Sequence, residues 1–375
     1  MTSPLGTSHQ HGHRARRETS AKTPIAIVSA VALLAAGSVL TGCGDNSENQ
    51  SAESSSYTVP RPENSAYPLT INNCGREVTF TKAPSRVLIL NGASVGEVES
   101  LLVLDQDKAI IGNAQNYGVS DDRGMVPRIS ALPTIPGQSP AGATTAEQVL
   151  AAKPDMVIST WAGGFDPGAG APTRDQLAQQ GIASYVNPAQ CDSAQPGASA
   201  KKKDGSPTGI KDSFDMLMDF GRIFNVQQKA AGYIEGKNKA IESIAAHGQP
   251  QGDKHALIAY PGMAAMNTNG LPAVMTGGIY DDILAKAGLE NSIEGDAETT
   301  KTLNAEKLAS AKVDVLVLGQ FSPAENPAEE AKKLFAKYPQ WEAAKHNRWV
   351  SVSDSAYYGP LNHIAVAKIS DAAKR

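Results

Sequence analysis

Residues 146–158 read AEQVLAAKPDMVI, and residues 305–317 read AEKLASAKVDVLV. Ala, Glu, Ala, Lys and Asp coincide at identical offsets: Ala146 with Ala305, Glu147 with Glu306, Ala152 with Ala311, Lys153 with Lys312, Asp155 with Asp314. In each copy a short helical turn leads into a short apolar strand. A common strand–helix unit could give the apolar agreement by chance. The repeated glutamate is harder to dismiss, because nothing in helix packing asks for it. Such an echo points to paired structural units.

The same alternation runs outward in both directions. Strands are predicted at 86–90, 109–112, 156–159, 182–186, 256–259, 315–318 and 349–352. Helices are predicted at 95–104, 146–152, 174–180, 279–287, 341–345 and 363–374. Alternating strands and helices imply an α/β fold with a parallel sheet covered by helices. Between residues 211 and 247 no strand appears. Phe214, Leu217, Met218 and Phe224 keep helical spacing. After a break at Asn225-Val226, a second helix from Gln227 to Ala246 carries Ile234, Ile241, Ile244 and Ala245 along one side. Twenty helical residues reach about 30 Å. The expected organisation is a signal at 1–42, a tether at 43–66, an N-terminal α/β lobe at 67–210, a helical connector at 211–250 and a C-terminal α/β lobe at 251–375.

The chain has 375 residues, a formal charge of −4 and three cysteines. The near-neutral balance argues against a nucleic-acid partner, which needs a basic field. The first 22 residues are polar and basic, with Arg14, Arg16, Arg17 and Lys22 against Glu18. The apolar run from Ile25 to Leu40 is shorter than the roughly 20 residues of a membrane span, and fits the core of an export signal. It ends in Leu40-Thr41-Gly42-Cys43, which resembles the lipobox of bacterial lipoproteins, where the cysteine takes a diacylglycerol and the signal is cut just before it. An ordinary signal with a chance cysteine is the alternative. Lipid on Cys43 leaves Cys74 and Cys191, a pair expected to oxidise outside the membrane; two buried free thiols are the alternative. Residues 44–66 are rich in Ser, Asn, Glu and Pro and read as a flexible tether.

Several features follow in a telling order. A strand is entered through Pro84-x-Arg86-Val87. Glu99-x-Leu-x-x-Leu lies on the next helix, then Lys153-Pro-Asp-x-Val-Ile, a long crossing helix, and Trp341-x-x-x-Lys345-x-x-Arg348 before the last strand. With the lipobox and tether, this order resembles the periplasmic-binding-protein family that serves ABC importers of iron-siderophores, haem and vitamin B12. The resemblance runs from about Tyr67 to the C-terminus. One departure is Asp105, where the family usually has Gly.

The resemblance implies two Rossmann-like α/β lobes joined by one rigid helix, with ligand in the cleft between them. It implies a binding protein without catalysis, held to the cell membrane by lipid on Cys43. Glu147 and Glu306 match the glutamates that dock into arginines of the dimeric permease. First-turn helix acids of no further role are the alternative for both. The expected ligand is a pre-formed iron or cobalt chelate, a ferric siderophore first, with corrinoid or haem as alternatives; no cofactor is expected. Direct metal capture is disfavoured, because His247, His255, His346 and His363 all follow the first lobe. Cleft candidates lie just after the strands: Trp161, Tyr117 and Arg123 in the first lobe, Tyr260, Tyr357, Tyr358 and Asn267 in the second. Asn113, Gln115, Arg128, Met263, Gln320 and Phe321 stand beside them. Aromatic rings would offer flat walls and arginine a partner for an anionic chelate.

Gly92-Ala93-Ser94-Val95-Gly96 is a literal G-x-S-x-G between a strand and a helix, with Asp354 and His363 following in hydrolase order. A lipid-anchored serine esterase using Ser94 is therefore the rival. Against it, the motif follows the first strand of the body, and neither the repeat nor the long helix has a place in that fold.

Overall fold

The computed structural model describes residues 57–92, 95–138, 144–192, 205–247, 252–266, 271–295 and 303–375. The export segment, Cys43, Ser94 and Asn267 lie outside the described residues.

The first lobe opens with an antiparallel hairpin, β1 (Leu69–Asn73) and β2 (Arg76–Phe80). Its inner side chains Ile71, Val78 and Phe80 are buried and alternate with exposed ones, the period of a half-covered strand. Then β3 (Val87–Ile89), α1 (Gly96–Val103), β4 (Ile110–Asn113), α2 (Met125–Ser130), α3 (Ala146–Ala152), β5 (Met156–Ser159), α4 (Arg174–Gln179) and β6 (Ala183–Val186) follow. The four strands form a parallel sheet in the order β4-β3-β5-β6. β3 and β5 are buried at every residue, as strands covered on both faces must be. Thr145 and Thr173 start α3 and α4 with reciprocal capping boxes to Gln148 and Gln176, a strong local start signal.

Next come α5 (Ile210–Ile223) and α6 (Gln227–His247). They meet at a tight turn where Asn225 takes positive φ. Lys229, in the first turn of α6, pairs with Asp105 of the first lobe. Glu242, near its far end, lies 3.0 Å from Lys286 of the second lobe. So α6 spans the lobes. It does not do so alone: α5 also bridges them, through Asp219 to Tyr185 at one end and Ile210 N–H to Asp282 at the other. The connector is a packed helix pair, matching the two helical stretches read between residues 211 and 247, and α6 is the long helix that reaches from lobe to lobe.

The second lobe contains β7 (His255–Tyr260), β8 (Ala273–Met275), α7 (Gly278–Ala287), β9 (Glu290–Asn291), β10 (Val315–Gln320) and β11 (Trp349–Ser353). β11, β10 and β7 are parallel neighbours, β8 joins β7 antiparallel, and β9 pairs with the start of β7. The chain ends in a helix, Asn362–Lys374. One buried cluster runs from Val87 and Ile89 through Phe214, Phe220 and Ile234 to Ile258, Tyr357 and Val366, so both lobes and both connecting helices share a core.

The sequence echo has a structural cause. Asp155 accepts hydrogen bonds from the backbone N–H groups of Ser85 and Arg86, just before β3. Asp314 accepts one from the N–H of His255, at the start of β7. In each lobe the repeated aspartate ties the entry of the first strand to its neighbour.

Residues 57–66, expected within the tether, pack on the connector instead. Tyr57 lies against Phe214, with ring centroids 5.2 Å apart, and donates to Asp215 at 2.9 Å. Ser65 bonds Asn225 and the Arg222 carbonyl. The polar composition hid Tyr57 and Val59, which supply the apolar contact. Cys74 and Cys191 are joined, with Cα atoms 5.1 Å apart, and tie the β1–β2 turn to the end of the first lobe. Among the described residues no helix is long and apolar enough to cross a membrane.

Candidate functional site between the lobes

The carboxyl ends of β3 and β5 part at the point where strand order reverses, and α/β sheets bind ligands at such points. The loops leaving both strands meet there. Gly92 sits so close to them that a Cβ would fall 2.1 Å from Thr160 Oγ1 and 2.7 Å from Gln115 Nε2. Only glycine fits that approach.

Glu97, in the first turn of α1, is the centre of this floor. Its carboxylate accepts from Asn187 Nδ2 at 2.7 Å, Gln115 Nε2 at 2.8 Å and Thr160 Oγ1 at 2.9 Å. Burial pushes its pKa up, against the pull of those three donors. Asn187 also donates to the carbonyl of Tyr358 in the second lobe. The backbones touch beside it: a Cβ on Gly359 would lie 2.7 Å from Gly96 Cα.

The opposite wall carries Asp354, fully buried after β11. Burial raises it to about 7, Tyr260 opposes the rise, and the charges of Glu97 and Glu325 add to it. Asp354 Oδ2 and Gln115 Oε1 have no hydrogen-bond partner among the described residues. Glu99 is pushed to about 8 by burial; Ser120 and Ser355 oppose this, while Asp121 and Asp122 reinforce it.

The loop after β4 clasps the second lobe. The Tyr117 hydroxyl donates to the Gly92 carbonyl at 2.6 Å and accepts from its N–H at 3.0 Å. Its ring meets Phe321 at 4.6 Å. Asp121 and Ser353 exchange hydrogen bonds, each backbone N–H donating to the other side chain at 3.0 Å, and Lys368 donates to Asp121 at 2.6 Å. Beside this clasp a groove of about 380 Å³ is lined by Gly118, Ser120, Arg123, Val126, Gln320 and Pro323. Two larger hollows lie elsewhere, one along β2 and one between the 60–66 segment and α5.

The predicted cleft residues divide on this geometry. Tyr117 and Phe321 meet across the junction, and Arg123 stands exposed at the groove. Trp161 is half-buried at the end of β5. Tyr260, Tyr357 and Tyr358 are not cleft walls in this structure: they are 1%, 0% and 2% exposed. They pack with Tyr280, whose centroid is 4.8 Å from that of Tyr357 and whose hydroxyl is 3.0 Å from that of Tyr358. The turn after β11 folds inward, so residues just past a strand end fill the lobe rather than face the ligand. Arg128 is spent on the carbonyl of Leu102.

Glu97, Asn187, Thr160 and Asp121 were missed as site residues, and Asp354 was singled out only for the esterase reading. One signal was available: two glutamates, 97 and 99, stand in a helix that also carries Val98, Leu101, Leu102 and Val103. Asp105 follows that helix with positive φ, the conformation for which a glycine would be used. Glu147 and Glu306 are exposed in the first turns of α3 and of the helix Ala305–Ser310, capped by Thr145 and Asn304.

For the rival reading, Asp354 and His363 make no hydrogen bond to each other, and burial lowers His363 to about 4. Asp253, His255 and Glu290 are the one group of potential metal ligands close together among the described residues. They sit at the start of β7, the end away from the cleft, and Lys312 lies 3.5 Å from Asp253.

The sequence profile of the family described as periplasmic binding protein matches residues 93–355. The chain belongs to the periplasmic binding protein family. As a member it is a substrate-binding transport component, not an enzyme. No curated protein sequence matches it. Among solved structures, it resembles an ABC-type Fe3+-hydroxamate transport protein from Saccharomonospora viridis at TM-score 0.58 and 20% identity, over 82% of this chain and 99% of that one. The siderophore binding protein BauB, bound to ferric iron with two molecules of acinetobactin, gives 0.57 and 16%, over 82% and 98%. The haem-binding protein RhuT from Roseiflexus sp. RS-1 gives 0.53 and 19%, over 77% and 98%. At these identities the likeness is one of fold.

Proposed function

We propose that this periplasmic binding protein captures a chelated metal, most plainly a ferric siderophore, and delivers it to an ABC importer. The observation that carries this reading is the junction itself. Two lobes present their strand ends to each other over a floor of buried polar groups, and the structural neighbours include proteins of ferric-chelate transport.

Haem is the weaker cargo. A tyrosine ligand needs a phenol free to meet iron. The Tyr117 hydroxyl is engaged twice by Gly92, and Tyr260, Tyr357 and Tyr358 are interior. A corrinoid is kept as the other alternative.

Lipid on Cys43 would hold the protein at the outer face of the cell membrane. Glu147 and Glu306 would dock it on the permease. Each is exposed with no ion pair among the described residues, while the aspartate of the same motif is consumed by the fold. The test is a panel of ferric siderophores, haem and cobalamin, read by tryptophan quenching and thermal shift. Ferric siderophores are expected to quench fluorescence and raise Tm. A response to haem or cobalamin alone would refute the siderophore assignment.

A further inference from the structure

Glu99 is a buried acid to which the site described above gives no task. It stands in the middle of α1 and is 0% exposed. Its Oε1 accepts from one hydroxyl of each lobe: Ser120 in the loop after β4, and Ser355 in the turn after β11 at 3.4 Å. The contact continues outward. Ser355 Oγ lies 3.1 Å from Ser353 Oγ, Ser353 exchanges hydrogen bonds with Asp121, and Lys368 donates to Asp121. One chain of hydrogen bonds thus crosses from lobe to lobe, with Glu99 at its buried end. Glu99 Oε2 has no hydrogen-bond partner among the described residues.

A neutral carboxyl sits in such a place at little cost. A carboxylate does not, because burial strips its water and Oε2 meets no donor in return. The charges of Asp121 and Asp122 add to that cost, and the two serine hydroxyls offset it in part. Lys368, the cation that joins the chain, already sits on Asp121. Tyr233 of α6 feels Glu99 as a neutral phenol, and His363 of the last helix, which feels Lys237 and Asp122, is kept neutral above about pH 4 by burial. Arg128 of α2 is spent on the Leu102 carbonyl. On α5, Asp212 accepts from Gly209, Asp215 from Tyr57 and Asp219 from Tyr185. Asp354 has Tyr260 of its own lobe against it. Among the described residues of these elements, no cation is placed to compensate an ionised Glu99.

We propose that Glu99 is a positioning residue that works as a proton-operated latch: while it keeps its proton the 353–355 turn of the second lobe stays seated on the first, and when it ionises the lobes part and water reaches the carboxylate. Burial moves its pKa from 4.5 to about 8. The closed junction therefore holds this proton more tightly than the parted one. Closure is fully supported below about pH 4.5, weakens by up to about tenfold per pH unit from there to about 8, and levels off above. Between pH 6 and pH 9 the loss is up to about a hundredfold. The latch acts on the empty cleft, whatever cargo it takes, and a cargo held by closure would be released more readily as pH rises.

Two amides report the contact directly: Asp121 N–H, which donates to Ser353 Oγ, and Ser353 N–H, which donates to Asp121 Oδ2. Their hydrogen exchange is followed in the full ligand-free protein from pH 6 to pH 9. Rates are compared with those of an unstructured peptide of the same sequence, which removes the intrinsic effect of pH. The buried strand residues Val157 and Ile258 serve as the reference for global unfolding. The junction amides should exchange faster than the reference amides and lose up to about a hundredfold in protection, with the fall ending near pH 8. Glu99→Gln keeps the neutral shape and cannot ionise, so its junction protection should stay constant. Ser120→Ala serves if that variant does not fold: Ser120 opposes the rise of Glu99, so its loss should move the midpoint to higher pH. Protection that is flat in the wild type, the same fall in Glu99→Gln, a midpoint unmoved in Ser120→Ala, or junction amides that exchange only together with the reference amides would overturn the proposal.

Discussion

Asp354→Asn should make the ligand-free protein more stable at alkaline pH. The carboxyl is wholly buried, and burial moves it from 3.8 to about 7. The folded protein therefore binds this proton more tightly than the unfolded chain does. Below about pH 4 both states hold the proton and the residue costs nothing. Between about 4 and 7 the unfolded chain ionises while the folded one resists, so stability falls as pH rises. Above about 7 the full cost is present. A shift of about three units at 1.36 kcal/mol each amounts to about 4 kcal/mol, an upper figure because a polar floor relaxes around the charge. Asparagine keeps the shape and removes the ionisation. Urea denaturation of wild type and variant at pH 5 and pH 8.5 measures the difference, with m-values compared so that midpoints report stability. The variant should gain a few kcal/mol at pH 8.5 and no more than about 1.6 kcal/mol at pH 5, which lies about 1.2 units above the unfolded value. A variant less stable than wild type at pH 8.5 would show that a cation compensates Asp354 in the folded state, and would refute the account of an uncompensated acidic floor.

Replacing Glu147 and Glu306 together by alanine should abolish uptake of the chelate in cells and leave its affinity for the isolated protein unchanged; unchanged uptake would refute the docking assignment. Replacing Cys74 and Cys191 by serine should lower stability by up to about 5 kcal/mol, the loop-closure value for a sequence separation of 117, read as a lower denaturation midpoint under non-reducing conditions. Asp121→Ala removes the acceptor of the Ser353 N–H and strands Lys368, while the Asp121 N–H keeps its bond to Ser353 Oγ; it should cost about 1–3 kcal/mol and speed hydrogen exchange in the loop after β4. Cys43→Ala should release the protein from the membrane fraction, and a variant that stays there would refute the anchor.

Much of the architecture was legible because parallel strands are continuous apolar runs. Val87-Leu88-Ile89 and Met156-Val157-Ile158 could be read without any long-range knowledge. The span of α6 was legible from its length and its apolar side. The junction was not, because its residues acquire meaning only from what the other lobe brings. Tyr357 and Tyr358 look like cleft walls in sequence and are interior because the turn after β11 folds inward. Glu97 looks like an ordinary first-turn acid, and its three donors come from loops 18, 63 and 90 residues away. The end of the tether was misplaced for a related reason: Tyr57 finds its partners Phe214 and Asp215 only in the folded chain.

The two kinds of repeated acid show how fold and task separate within one motif. Asp155 and Asp314 each cap the entry of a first strand, so the fold alone accounts for their recurrence. Glu147 and Glu306 cap nothing: Thr145 and Asn304 already supply the side-chain oxygens that open those helices. The helix dipole favours an acid at that place, but by only about 0.3–1 kcal/mol at an exposed site, and aspartate or a neutral residue would serve the helix almost as well. A side chain that recurs at the same offset in both lobes, exposed and unneeded by either helix, fits the docking we propose, in which one partner would meet both lobes at once.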